Sequence, residues 1–146
     1  MLRLAKKVEY ALLALQYMSS RTARVCTVKE IAENFNISFE LLAKVMSVLS
    51  KKGIVQSLQG INGGFSLTKE SSSISIADVI AAVEKKKSSI VECESGGDHA
   101  NCYVEERCTI RHPLQRLQTM IDNAFESMTV LDLHKSETSF VHVEIN

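Results

Sequence analysis

Several signatures are missing from this sequence, and each absence excludes a class. No apolar run approaches the roughly 18 residues of a membrane-spanning helix, so no membrane partner is expected. No GxxxxGK[ST] run offers a phosphate loop, and no nucleophile stands with a base, so an enzyme has little support. No two cysteines show the tight C-x2–4-C spacing of structural zinc. Net charge is absent too: 17 Lys/Arg meet 17 Asp/Glu, which taken whole argues against a nucleic-acid partner. Proline occurs once and tryptophan not at all, while 45% apolar and 23% charged residues are ordinary for a globular protein and exclude wholesale disorder. At 146 residues the chain makes one domain, or a small domain with an appendage. Arg3, Lys6 and Lys7 ahead of Ala11–Leu15 imitate a secretory leader. That apolar run stops at Gln16 and no Ala-x-Ala site follows, so a cytoplasmic protein is expected.

The zero net charge hides an asymmetry. Residues 1–70 carry ten Lys/Arg against five Asp/Glu, and residues 71–146 carry seven against twelve. A basic first half suits a polyanion; chance drift of surface charge is the plain alternative. Residues 2–20 have helical spacing in Val8, Ala11, Leu12, Leu15 and Met18. Arg3, Lys6 and Lys7 load the start of that helix with cations, against its dipole, which a nearby phosphate would relieve. Thr27 and Glu30 have capping-box spacing and open a short helix with Val28, Ile31 and Ala32 inward. Asn34–Ile37 reads as a turn; Ser38 caps a second helix that runs to Lys52 and stops at Gly53, with Leu42, Val45, Met46 and Leu49 as its buried stripe. Two helices joined in this way form a helix-turn-helix pattern.

The next segment sharpens that pattern. Ile54–Leu58 and Phe65–Thr68 read as strands around the glycine-bearing turn Gln59-Gly60-Ile61-Asn62-Gly63-Gly64. A hairpin directly after the second helix is the wing of a winged helix. Residues 73–84 then make a helix capped by Ser75 and Asp78, with Ile76, Val79, Ile80 and Val83 apolar and Lys85-Lys86-Lys87 at its end. A basic triplet can touch DNA, but it suits the dipole of the helix it closes and lies outside the helix-turn-helix. Residues 88–112 have no period. Pro113 then opens a long helix in which Leu114, Leu117, Ile121, Ala124, Phe125 and Met128 recur every three or four positions. It follows the compact module and has little chain left to pack on, so the same helix of a second subunit is the expected partner; packing back on the first helix is the alternative. One more turn is expected over Thr129–Leu133, then a weakly alternating tail, Ser139–Asn146.

Cys93, Cys102 and Cys108 lie in the aperiodic segment with spacing C-x8-C-x5-C, with His99 and His112 in or beside it; Cys26 stands apart and reads as a small buried residue. Disulfides need an oxidising compartment, and a catalytic cysteine wants one thiol with a base rather than three in one loop. An iron–sulfur cluster wants several thiolates on a segment able to wrap it, and ranks ahead of zinc and of thiol redox chemistry.

These pieces together resemble the IscR/NsrR/RirA-type family of winged-helix iron–sulfur transcription regulators. The matching runs are Val8-Glu9-Tyr10-Ala11-Leu12, Ile31-Ala32, Ile37-Ser38 with Leu42, Lys52-Gly53-Ile54-Val55 and Gly60 to Leu67. Ile76-Ala77-Asp78-Val79-Ile80, the three-cysteine segment and Thr129-Val130-Leu131-Asp132-Leu133 complete the match. The resemblance implies a homodimer on a pseudo-palindromic double-stranded DNA operator, and a 2Fe–2S or 4Fe–4S cluster held by Cys93, Cys102 and Cys108. It implies a fourth ligand that is either Glu9 of the partner subunit or His112, which falls one residue later than in the histidine type. For DNA it selects Ser38, Phe39, Glu40, Leu41 and Lys44 at the start of the second helix, and Gln59, Gly60, Ile61 and Asn62 in the wing. Gln59 stands where relatives often carry a minor-groove arginine, which leaves Lys6, Lys7, Lys44, Lys51 and Lys52 as phosphate neutralisers. The expected architecture is mainly α: a winged DNA-binding domain at 1–84, a cluster-binding loop at 85–112, a dimerisation helix and turn at 113–135, and a tail at 136–146. Leu114, Leu117, Ile121, Phe125 and Met128 form the expected dimer seam. Cluster loss or damage, by a signal such as nitric oxide, is expected to move the loop, the dimer helix and hence the spacing of the two recognition helices. A winged regulator without a cluster, using its cysteines for zinc or thiol redox sensing, is the alternative.

Overall fold

The computed structural model describes residues 3–21, 25–84, 89–90, 104 and 107–134. Cys93, Cys102, His99, Lys85-Lys86-Lys87 and the alternating tail lie outside the described residues. Among the described residues, five α-helices and one two-stranded antiparallel sheet are present: α1 Lys6–Ser19, α2 Val28–Phe35, α3 Phe39–Lys51, β1 Val55–Leu58, β2 Gly64–Leu67, α4 Ile76–Val83 and α5 Arg111–Ser127. The fold is mainly helical with a two-stranded wing, as expected. No helix among the described residues is long and apolar enough to cross a membrane.

α1 is the central element. Its apolar face, Val8, Ala11, Ala14, Leu15 and Met18, is buried and meets Leu42, Met46 and Leu49 of α3, Ile76, Val79 and Ile80 of α4, and Val130 in one core. The helix starts at Lys6, later than its spacing predicts, because Ala5 is extended. Its first turn holds Glu9, whose carboxylate accepts from Lys6 Nζ at 2.6 Å and raises the Lys6 pKa through that hydrogen bond.

Local chemistry sets most boundaries. Thr27 Oγ1 accepts from the Glu30 N–H at 3.1 Å and caps α2, and Ser75 with Asp78 forms a complete capping box on α4. α3 ends in a Schellman motif: Ile54 N–H donates to Leu49 O and Gly53 N–H to Ser50 O, both at 3.0 Å, with Gly53 at φ +74°. α2 ends with the same bond pair, Ile37 to Ala32 and Asn36 to Glu33, and Asn36 takes the left-handed conformation. Two expectations shift. Ser38 flanks α3 but its side chain makes no capping bond. Pro113 is the third residue of α5 rather than the first; its missing donor still costs nothing, because the first intrahelical bond of α5 is Leu114 N–H to Ile110 O.

The wing pairs Val55 with Leu67, Gln56 with Ser66, Ser57 with Phe65 and Leu58 with Gly64. Its base is tied to the chain ahead of α2 by two bonds, Cys26 N–H to Phe65 O at 2.9 Å and Phe65 N–H to Cys26 O at 2.8 Å. Cys26 is fully buried there. Gly64 makes this approach possible: it sits at φ +153°, and a Cβ on it would lie 2.6 Å from the Cys26 carbonyl oxygen. Gly64→Ala is therefore expected to lower stability by about 1–3 kcal/mol, read as a fall in the urea midpoint at constant slope; an unchanged midpoint would contradict this account of the wing base.

Candidate nucleic-acid interface and cysteine segment

α2 and α3 join through Asn36–Ser38 and bury their inner faces, so α3 presents its start and outer side to solvent. Ser38, Phe39, Glu40, Leu41 and Lys44 are all exposed, as is Lys51 at the far end. Phe39 and Leu41 are about half exposed although large and apolar. In the wing Gln59, Gly60, Ile61 and Asn62 are exposed, and Ile61 stands fully out at the tip. Gly60 there has φ +114°, open only to glycine at little cost. An exposed second helix followed by an exposed glycine hairpin is the element order of a winged helix-turn-helix. Lys6, Lys7, Lys44, Lys51 and Lys52 are likewise exposed. The residues selected in the sequence thus lie on the surface of the winged module: on α3 and just after it, at the wing tip, and, for Lys6 and Lys7, at the start of α1.

A cluster that sequence reasoning missed fixes α2 against α1. The Tyr17 phenol donates to Glu30 Oε1 at 2.9 Å, Arg21 stacks 3.7 Å from the Tyr17 ring centroid and lies 3.9 Å from Glu30, and Phe35 meets Tyr17 edge-on at 5.9 Å. No spacing rule announces it, because Tyr17 and Glu30 meet only once α1 and α2 pack. A second missed feature is the return of the chain after α5. Ile76 N–H donates to Met128 O at 2.8 Å and Val130 N–H to Ile74 O at 2.9 Å. Asp132 accepts from the Thr129 N–H and Oγ1, Gln16 Nε2 donates to Leu133 O at 2.6 Å, and Ser19 Oγ bonds His134 Nε2. The end of α5 is thereby fastened to α4 and to α1.

α5 itself packs on α4, and of its residues only Gln118 is buried. Gln118 Oε1 accepts from the Ile90 N–H at 2.8 Å, and its Nε2 donates to Asp122 at 2.9 Å. Leu114, Ile121 and Phe125 are half-buried, Phe125 against the core; Leu117 and Met128 are exposed. At the other end Cys108 is a free, half-exposed thiol two residues before the α5 N-cap, Ile110, which supplies no side-chain cap. Arg111 and His112 fill the first turn, which holds no acid. This end of α5 is positive and favours a negative group beside it. Among the described residues no three His, Cys, Asp or Glu side chains converge as a metal site. Glu9 is half-buried on α1 and His112 is exposed on α5.

A family profile described as "Rrf2: Iron-dependent Transcriptional regulator" matches residues 4–136. The chain is 33% identical over 138 residues to the HTH-type transcriptional regulator NsrR of Oceanobacillus iheyensis, which covers 93% of this chain and 92% of that protein. It is 36% identical over 126 residues to an Aquifex aeolicus protein described as an HTH-type transcriptional regulator, over 86% of this chain and 87% of that one. Among solved structures, CymR (YrzC), the global cysteine regulator of B. subtilis, superposes with TM-score 0.74 at 22% identity, covering 94% of this chain and 100% of that one. T. potens IscR superposes with TM-score 0.69 at 22% identity, over 95% and 93%. At such identities these likenesses speak to the fold.

The Tyr17 cluster yields a prediction. Burial, then the bond to Glu30, raises the Tyr17 pKa above its ordinary 10.0. A raised folded pKa means that the stabilisation is complete below pH 10.0 and is lost as pH climbs through the folded value. Tyr17→Phe is expected to cost about 1 kcal/mol at neutral pH and to flatten the alkaline fall in stability. Urea melts at neutral and strongly alkaline pH check both; an equally steep alkaline fall in the variant would contradict it.

Proposed function

The chain belongs to the Rrf2 family of transcriptional regulators, and from that premise we propose that it senses an iron–sulfur cluster and binds a pseudo-palindromic DNA operator as a homodimer. Family membership makes it a DNA-binding transcription regulator and not an enzyme. The single observation that supports its DNA surface best is that the start of α3 and the tip of the glycine wing are both exposed, as are five lysines of the same winged module. Ser38, Phe39, Glu40, Leu41 and Lys44 meet base edges and backbone in the major groove. Gln59, Gly60, Ile61 and Asn62 follow the adjacent backbone, and Lys51 with Lys6, Lys7 and Lys52 neutralises phosphates. Residues 1–84 then form the DNA-binding unit, 85–112 the cluster segment, 113–135 the dimer helix and its turn, and 136–146 the tail.

Cys93, Cys102 and Cys108 are the proposed cluster ligands, with Glu9 of the partner subunit as the fourth and His112 as the alternative. The donor chemistry fits: thiolates hold iron–sulfur clusters, and Cys108 is a free thiol at the positive end of α5. A bound 2Fe–2S or 4Fe–4S cluster supplies a redox-active group open to a small-molecule signal such as nitric oxide. A carboxylate is a hard, exchangeable fourth ligand beside three soft thiolates. Glu9 already pairs with Lys6, so its recruitment would exchange that exposed ion pair for a metal bond. The protein's own part is mechanical. α5, with Leu114, Leu117, Ile121, Phe125 and Met128 as the seam to its twin, connects through Thr129–His134 to α1. α1 packs on Leu42, Met46 and Leu49 of α3 and is bonded to α2 through Tyr17 and Glu30, so a shift of α5 has a route to both helices of the helix-turn-helix.

Two outcomes are expected. Affinity for DNA falls steeply with salt, and each phosphate-contacting lysine removed lowers the log–log salt slope by about 1. Titration of Lys44→Ala/Lys51→Ala against wild type at several salt concentrations checks this; full affinity in the double variant would move the DNA surface elsewhere. For the ligands, Glu9→Ala keeps a cluster with altered visible spectrum and lability, whereas His112→Ala leaves the spectrum unchanged. The reverse pair of results assigns the fourth ligand to His112.

A further inference from the structure

The outward face of α3 has an unusual charge order for a DNA-reading helix. Glu40, Lys44, Ser47 and Lys51 run along the side opposite the buried stripe Leu42, Val45, Met46 and Leu49, and all four are exposed. The leading position, where a recognition helix meets base edges, is thus an acid. Its neighbours Phe39 and Leu41 are apolar, and the cations lie behind it. The one cation of α2, Lys29, is paired with Glu33 at 3.9 Å. An exposed carboxylate can only accept hydrogen bonds, and it repels phosphate. In the major groove guanine offers only N7 and O6 acceptors, thymine O4 and a methyl group, and adenine a donor flanked by the N7 acceptor. Cytosine N4 is the donor with no acceptor beside it on the same base edge.

Resting on the DNA-binding reading above, we infer that Glu40 is a specificity-determining residue, selecting one cytosine in each half-site through its N4 amino group. Phe39 and Leu41 flank it as apolar contacts suited to thymine methyl groups. Where the base is wrong, the carboxylate faces an acceptor or a phosphate with no donor to offset the repulsion, so Glu40 also weakens binding to unrelated DNA. An acid in the first turn of α3 also suits the helix dipole, but that role gives the protein no preference for one base.

The two roles separate in a selection experiment. Full-length wild type, Glu40→Ala and Glu40→Gln are each used to enrich duplexes from a random pool. Wild type is expected to enrich a two-fold-related sequence containing one C·G pair per half-site that Glu40→Ala no longer requires. Glu40→Gln is expected to change that preference toward adenine, which a glutamine reads through N6 and N7. Replacing the C·G pair should weaken wild type by about tenfold and Glu40→Ala by about twofold or less. Enrichment of the same sequence by all three proteins, with affinity lowered equally on every duplex, overturns the role of Glu40 while leaving DNA binding intact. Failure of wild type to enrich any sequence overturns the DNA-binding reading itself, and this inference with it.

Discussion

Burial of one face of α1 is the constraint on which the rest of the structure rests. Val8, Ala11, Leu15 and Met18 are closed off by α3 on one side, by α4 on another and by Val130 of the returning chain. Each of those elements is short, and the eight residues of α2 or of α4 would not hold a helix alone. They are helical because α1 and α3 give their apolar stripes something to cover. The same burial fixes where α3 points, since Leu42 and Leu49 turn inward only if Glu40, Lys44 and Lys51 turn out. The exposed face of α3, proposed to read DNA, is therefore a consequence of the core rather than an addition to it.

Much of this was legible because it is local. The capping pair Ser75 and Asp78, the Gly53 stop of α3, the glycine wing and the helical spacing of α1 depend on residues a few positions apart. Sequence also separated the basic first half from the acidic second. What it did not show depends on residues far apart in the chain. The Tyr17–Arg21–Glu30 group, the Cys26–Phe65 pairing and the docking of Thr129–His134 onto Ile74–Ile76 and α1 arise only when elements meet. Pro113 misled by two positions because proline is tolerated anywhere in the first turn, where no N–H is needed. The C-x8-C-x5-C run raises the expectation of a cluster by its thiols alone; of the three, Cys108 lies among the described residues, as a free, half-exposed thiol.

The same long-range contacts explain how a regulator of this shape can respond. α5 is bonded at its middle to Ile90, near the start of the cysteine segment, and at its end to α4 and α1. Its remaining surface carries Leu117, Met120 and Met128 outward, an apolar face that a second copy of α5 would cover. The cysteine segment thus joins two helices, one in the winged core and one on the proposed seam. A change of charge or order in that segment has a short covalent route to both.

Iron and acid-labile sulfide per chain, measured together with visible absorption on protein purified without oxygen, test the cluster claim most directly. The account predicts a brown protein with matched iron and sulfide, and loss of both when Cys93, Cys102 or Cys108 is replaced by alanine while the fold persists. A colourless protein holding zinc or no metal, or variants that keep their colour, would contradict it and favour a winged regulator that uses its cysteines as thiols.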